Sequence, residues 1–326
     1  MNDIANDLAK YANIFAGITP WSGQLPAGFT VDFVGTRIDL KFRTIFPVHE
    51  SLIGGKAVTT RLPVMSDGEG WFEAVNWIEA ARAARGRFVM ITLGACYGAQ
   101  AVGSYRTLQL INPMPSRFVA VEGDPENVAW IRQHMRDNDM DPDAHWIVQA
   151  AISHNNNPVL FPVGWPGLGV QNCYSTNEDL SRKIYADEII TSGRANEAIR
   201  NIFINNSTGI IKNLVPGQNF PGEIKIVSAV TLADLLGPFD VVDYLESDIQ
   251  QSEITVFPPF MHALKRKVRR IHVGTHGFDV HAALLGLFQK EGWEIVFDFA
   301  PNSQFDSPLG SFSTNDGVLT VRNPSL

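Results

Sequence analysis

From about residue 87 onward the chain keeps switching period. Apolar runs, "RFVMITLG", "RFVAVEGD", "HWIVQAAIS", "DVVDYLESD", "VRRIHVGTHG" and "WEIVFDFA", are separated by segments of helical spacing such as "PENVAWIRQHMRDN" and "DVHAALLGLFQKEG". Strands alternating with helices call for an α/β fold, a mostly parallel sheet with helices on both faces. In such a sheet a ligand lies beyond the carboxyl ends of the strands, near the point where strand order reverses. The residues to inspect are therefore those that end strands: Gly94 to Gly98, Glu122, Ala150 to Ser153, Asp248 and His276.

The rest of the chain is read around that domain. Residues 1–70 form an N-terminal extension: an amphipathic helix over 2–16, a hairpin in "FTVDFVGTRIDLKF" about Gly35-Thr36, and a loop-rich stretch to 68. The main domain, 71–326, opens with the helix "GWFEAVNWIEAARAARG", which stops at Gly86. A helix is expected over about 97–109, and "HWIVQAAIS" is expected as one strand. A polar insertion at about 153–224 follows that third strand, over the same edge as the first glycine turn. Its Trp165, Asn172 and Tyr174 suit stacking on, and hydrogen bonding to, a polar ring, and make the segment a candidate lid or substrate loop. The insertion or the extension could equally serve as a contact in a homo-oligomer. The final "GVLTVRN" pairs as a hairpin with "WEIVFDFA".

Composition removes several classes. Of 326 residues 45% are hydrophobic and 18% charged, enough for a real core and too few charges for long disorder. The net charge is −8, and the one basic cluster, Lys265-Arg266-Lys267 with Arg269-Arg270, is short and reads as a solvated helix end, so no nucleic-acid partner is expected. "MNDIANDLAKYANIF" has neither the basic start nor the apolar core of a signal peptide, and no run approaches the roughly 18 apolar residues of a membrane span. The expected location is cytoplasmic. Two cysteines, Cys96 and Cys173, make neither a disulfide framework nor a zinc pattern.

The turn "GACYG" carries Gly94 and Gly98, four apart. Gly94 permits a tight turn and close approach of a ligand to the main chain, and Gly98 permits close packing of the following helix. Glu122 ends the next strand, where an acid can accept both hydroxyls of a ribose. The plainer alternatives are tight packing at the turn and a carboxylate placed to favour the dipole of the next helix. A ribose leaves two cofactor types. A nicotinamide dinucleotide needs G-x-G-x-x-G and a phosphate-binding helix end, a spacing absent here, since Cys96 stands two after Gly94. S-adenosylmethionine has no phosphate and needs fewer exposed amides. The terminal hairpin also suits a seven-stranded sheet that ends in an antiparallel strand.

Taken in order, "ITLGACYGAQA", "FVAVEGDPENVAWIRQHM", "IVQAAIS", "VTLADLL", "VVDYLESDIQQSE" and "IHVGTHG" resemble the FkbM-type S-adenosylmethionine-dependent methyltransferases over roughly residues 72–300. The resemblance implies a class I methyltransferase (Rossmann-like) fold and, usually, O-methylation of sugar or polyketide hydroxyls. It implies that Gly94, Ala95, Cys96, Tyr97 and Gly98 hold the methionine part of S-adenosylmethionine. Glu122, with Gly123 and Asp124, would take the ribose, and Ala150, Ala151 and Ile152 the adenine side. The chain departs from the family pattern at Thr92, where an acid is typical, and at Cys96, where Asn is typical. Glu246 replaces a lysine, Gln250-Gln251 replaces Glu-Gly, and Gly274 stands where an acid precedes the strand-end histidine.

Transfer of a methyl group to a hydroxyl needs positioning and a proton acceptor. Asp248 and His276 end successive strands and are the candidate catalytic pair, although a capping role for Asp248 and a structural role for His276 compete with this. Glu246 lies two residues before Asp248, on the same face of its strand. A metal site from Asp248, His276 and Asp279 is too loosely spaced to be expected. In "FPPF" Phe257 precedes the proline pair inside a helical segment, so the prolines break a helix rather than mark an amine methyltransferase acting on bases. The expected acceptor is a small-molecule or carbohydrate hydroxyl. The rivals are an NAD-dependent oxidoreductase and a non-catalytic methyltransferase-like binding protein.

Overall fold

The computed structural model describes residues 7–43, 48–163 and 223–326. The extension contains β1 (Ser22–Leu25), β2 (Phe29–Val31), β3 (Arg37–Asp39) and β4 (Lys56–Thr59). The expected hairpin is present: β2 and β3 pair antiparallel. Of the expected N-terminal helix over 2–16, residues 2–6 lie outside the described residues and Asp7 is helical. Leu8–Tyr11 form one 3-10 turn and further turns run to Gly17, with N–H groups bonded three residues back. Three-residue spacing puts Leu8, Tyr11 and Ile14 on one buried face, which the tighter winding serves better than 3.6 residues per turn.

The main domain follows as α1 (Glu69–Ala83), β5 (Phe88–Leu93), α2 (Ala99–Ile111), β6 (Ser116–Glu122), α3 (Pro125–Asp137), β7 (Trp146–Gln149), β8 (Ala151–Ile152) and β9 (Val159–Val163). After the insertion come β10 (Glu223–Val227), β11 (Ala229–Val230), α4 (Leu232–Leu236), β12 (Tyr244–Ser247), α5 (Glu253–Val256), α6 (Met261–Lys267), β13 (Arg270–Thr275), α7 (Phe278–Lys290) and β14 (Glu294–Phe299). The last elements are β15 (Ser303–Ser307), β16 (Gly310–Thr314) and β17 (Gly317–Arg322). One sheet of seven strands carries the domain in the order β14-β17-β13-β12-β5-β6-β7. Its strands are parallel except β17, which runs antiparallel to both β13 and β14. Order reverses at β5, between β12 and β6, and this fixes the ligand edge.

Strands β5 and β6 are apolar on both faces because both faces are covered. Under α1, α2 and α3 lies a core of Phe72, Val75, Ile78, Phe88, Met90, Phe118 and Ile131, and Leu8, Tyr11, Ile14 and Phe33 of the extension join it. On the other face Val89, Ile91, Leu245 and Val273 pack beneath α4 to α7 through Leu235, Leu264, Leu284 and Phe288.

Three details differ from expectation. The helix after the glycine turn starts at Ala99, because Gly98 still holds a left-handed φ of +85°. The third strand is split: β7 pairs with β6, and after Ala150 the chain leaves the sheet so that β8 pairs with β11. The last strand pairs with "WEIVFDFA" as expected, but the β15–β16 hairpin lies between them. The insertion begins and returns through the antiparallel β9–β10 ribbon, and Trp165, Asn172 and Tyr174 lie outside the described residues.

The basic cluster is largely consumed inside the protein. Lys267 caps the carbonyls of Leu236, Gly237 and Phe239, Arg269 pairs with Asp243 at 2.9 Å, and Arg270 reaches Asn76 at 2.8 Å and Glu79 at 3.4 Å. No helix among the described residues is long and apolar enough to cross a membrane.

Candidate active site

At the reversal point the carboxyl ends of β5, β6, β7 and β12 open into a cleft of about 530 Å³, its mouth included. Gly94, Cys96, Glu122, Gly123, Ala150, Ala151, Ile152 and Asp248 line it, all of them expected from the sequence. Val121, Phe161, Ile249 and Gln250 complete the wall.

The turn is shaped by two demands. Gly94 takes φ +75°, and a side chain there would collide with the carbonyl oxygen of Asp248, so only glycine lets the ends of β5 and β12 close together. Cys96 adopts φ +49°, unusual for a residue with a Cβ, and its N–H donates to Glu122 Oε2 at 2.8 Å. Three more of its amides are also engaged. Gly94 and Ala95 donate to the Val121 carbonyl and Gly98 to that of Ala95. A turn in which four of five amides already have protein acceptors, those of Gly94, Ala95, Cys96 and Gly98, offers little cradle for a pyrophosphate.

Glu122 is buried and receives a second N–H, from Asp124, on Oε1 at 2.8 Å. Burial pushes its carboxyl up to about 7 against the pull of those amide bonds. The Asn127 side chain bonds to the same carboxyl. The Cys96 thiol is free, and burial with the nearby Glu122 pushes it up to about 12, so it is not a nucleophile at neutral pH.

Some expected residues act only from behind. Asp124 caps α3, accepting from the Glu126 N–H at 2.8 Å. Ala95 belongs to the core. The Tyr97 ring does not line the cleft: it is stacked on Phe42 of the extension, with centroids 5.3 Å apart, and its hydroxyl receives Arg43 at 3.3 Å. These residues shape the turn rather than touch what lies in it.

On the far side Asp248 and His276 meet. His276 Nε2 lies 3.2 Å from Asp248 Oδ1, 3.6 Å from Asp316 Oδ1 and 2.7 Å from the Gln250 amide. Burial disfavours charge on this ring, but the Asp248 hydrogen bond and the Asp248, Glu253 and Asp316 carboxylates outweigh it and push it up to about 9. Asp316 was not legible in the sequence. It stands between β16 and β17, and its N–H and that of Asn315 are held by Glu69 Oε1 at the start of α1, at 2.9 and 2.7 Å. Phe161 was missed as well. It comes from the root of the insertion and its ring would lie 2.8 Å from a Cβ at Gly123. Among the described residues no group of three His, Cys, Asp or Glu side chains could hold a metal ion.

No curated protein sequence matches the chain at a significant level. Among solved structures, a methyltransferase FkbM from Methylobacillus flagellatus KT is similar at 10% identity and TM-score 0.39, over 77% of this chain and 53% of that one. A precorrin-6y C5,15-methyltransferase from Geobacter metallireducens GS-15 gives 11% and 0.37, over 76% of this chain and 86% of the other. Cofactor-bound Rv0187 from MTB gives 14% and 0.35, over 81% and 84%. Scores this low establish nothing alone; strand order and sequence carry the assignment. The sequence profile described as Methyltransferase FkbM domain matches residues 94–295, more than half of the chain, from the glycine turn to β14. With the seven-stranded sheet and its one antiparallel strand, that match settles the relationship: the chain belongs to the FkbM methyltransferase family, a family of S-adenosylmethionine-dependent enzymes of the class I fold.

Proposed function

We propose that the protein moves the methyl group of S-adenosylmethionine onto a hydroxyl of a sugar or other small molecule. The observation that carries this reading is Glu122, a buried strand-end carboxyl on the cleft wall, held by the Cys96 and Asp124 N–H groups and the Asn127 side chain. Its remaining acceptor capacity would take a ribose hydroxyl. Ile152, Phe161, Val121 and Ile249 give that half of the cleft apolar walls suited to a flat base. The engaged amides of the turn favour this cofactor over a dinucleotide.

When bound, S-adenosylmethionine supplies a methyl group on a positively charged sulfur. Transfer of that group to a hydroxyl would need the acceptor held against it and a residue to take the hydroxyl proton. The surrounding carboxylates push His276 up to about 9, which suits it to hold a proton near neutral pH rather than to take one. Asp248, half open to the cleft, takes the proton, while His276 orients it. A net charge of −8 and carboxylates around the acceptor side favour a small acceptor over a polyanion.

Calorimetric titration with S-adenosylhomocysteine, S-adenosylmethionine and NAD tests the cofactor half. Micromolar binding of the adenosyl ligands is expected, weakened by about tenfold or more in Glu122→Ala, since a hydrogen bond to the carboxyl is lost. Binding of NAD alone would refute the reading. Adenosyl binding with no transfer of labelled methyl to any hydroxyl acceptor would turn the protein into a binding protein.

A further inference from the structure

Behind the His276 side of the cleft, a second histidine is built into a chain of hydrogen bonds that the chemistry above does not use. His281, in the first turn of α7, is 4% exposed. Its Nε2 lies 2.8 Å from Asp298 Oδ1 on β14, and its Nδ1 lies 2.8 Å from Thr275 Oγ1 at the end of β13. A carboxylate only accepts, so Nε2 carries a proton, and in the neutral ring Nδ1 then accepts from the Thr275 hydroxyl. Acid, histidine and hydroxyl in that order match a nucleophilic triad, but this one has no room to act. Thr275 is fully buried and none of the three residues lines the cleft. A side chain at Gly317 would come within 2.2 Å of Thr275 Oγ1 and 2.8 Å of His281 Nδ1.

The place of this relay in the fold shows what it holds. Thr275 immediately precedes His276, and it pairs in register with Gly317, which immediately follows Asp316. That is the last pair of the β13–β17 ladder, so beyond it no ladder bond fixes His276 and Asp316 against each other. The relay grips both strands one residue behind their 3.6 Å contact and ties them to β14 through Asp298.

Resting on the reading of Asp248 and His276 as the acceptor side, we propose that Thr275, His281 and Asp298 are positioning residues: they lock the last pair of the β13–β17 ladder and so set His276 against Asp316. The groups that face His276 are Asp248 and Gln250 from the turn after β12, Glu253 from α5 and Asp316 from the turn before β17. Of these the relay reaches only Asp316.

The experiment is a double-mutant cycle on the full chain, read as the NMR titration of the His276 ring. Thr275→Val is nearly isosteric and removes the hydroxyl alone. It should lower the midpoint by about 0.3 unit or more, the direction of Asp316→Asn, because a carboxylate is no longer held beside the ring. In an Asp316→Asn background the same substitution should cause no further change, which a general loosening of the fold would not reproduce. Thr275→Ser, which keeps the hydroxyl, should restore the wild-type midpoint. If Thr275→Val does not fold, His281→Gln takes its place, since the amide keeps a donor for Asp298 and removes the Nδ1 acceptor. A midpoint that does not move, or that moves equally with and without Asp316, overturns the proposal. So does a wild-type midpoint that ignores Asp316→Asn. Failure of the wild type to bind S-adenosylhomocysteine would refute the cofactor reading; the titration, which needs no cofactor, alone decides the positioning.

Discussion

His276 is the residue at which charge and chemistry separate most clearly. Histidine at a strand end invites the role of base, but carboxylates on three sides keep it protonated. Followed by NMR, its ring should titrate near 9 in the native protein. Asp248→Asn should lower that value by about one unit or more, and Asp316→Asn by less, because Asp316 stands farther off. A ring that titrates near 6.5 in the wild type would return His276 to contention as the base. At this scale Glu122, Asp248 and His276 were legible because each ends a strand whose run and stop are written locally. Asp316 and Glu69 were not: they meet across 247 positions of sequence, and nothing local to either reports the other. Phe161 was hidden for a related reason, since it acts through a ribbon that closes only when the chain returns at β10.

Among the elements, the extension is tied to the glycine turn through an aromatic cluster. Phe42 is fully buried against Tyr97, Trp130 and His134, with ring centroids 5.3, 4.9 and 5.6 Å away. Asn138 at the end of α3 bonds both the N–H and the carbonyl of Arg37, fixing the β2–β3 hairpin beside it. Phe42→Ala should therefore destabilise the fold by about 3–5 kcal/mol in urea denaturation. It should also weaken S-adenosylhomocysteine binding, because Tyr97 loses the ring that holds the turn. An unchanged affinity would mean that the turn is rigid by itself. Alternation of strand and helix predicted the sheet because burial on both faces leaves so plain a pattern. The split after β7 was invisible, since "HWIVQAAIS" has one uninterrupted apolar character while its two halves bond to different strands.

The molecule as a whole carries its ionisable groups in a way that sets a pH response. Burial raises Asp32 to about 6 and Glu73, Glu122 and Glu253 to about 7, and His276 stands at about 9. A group raised in the folded state gives stability at low pH that is lost as pH climbs through the folded value. Burial lowers His134, His145 and His272 to about 4, and their contribution has the opposite sign, being lost only as pH falls below about 6.5. Above pH 6.5 the lowered histidines no longer vary and only the raised groups act. The melting temperature of the ligand-free protein should therefore decline steadily from pH 6.5 to 9, and a rise across that range would contradict these assignments. The order of the sheet has a further consequence, for synthesis. Strand β17 is translated after both β13 and β14 yet lies between them. While the chain is still emerging from the ribosome, the edge of β13 is open and β14 has no neighbour, so the nascent domain presents an unfilled slot to any passing strand or chaperone. The strand ends of β5, β6 and β7 that form the proposed adenosyl side can be complete by then, before Asp316 arrives beside His276.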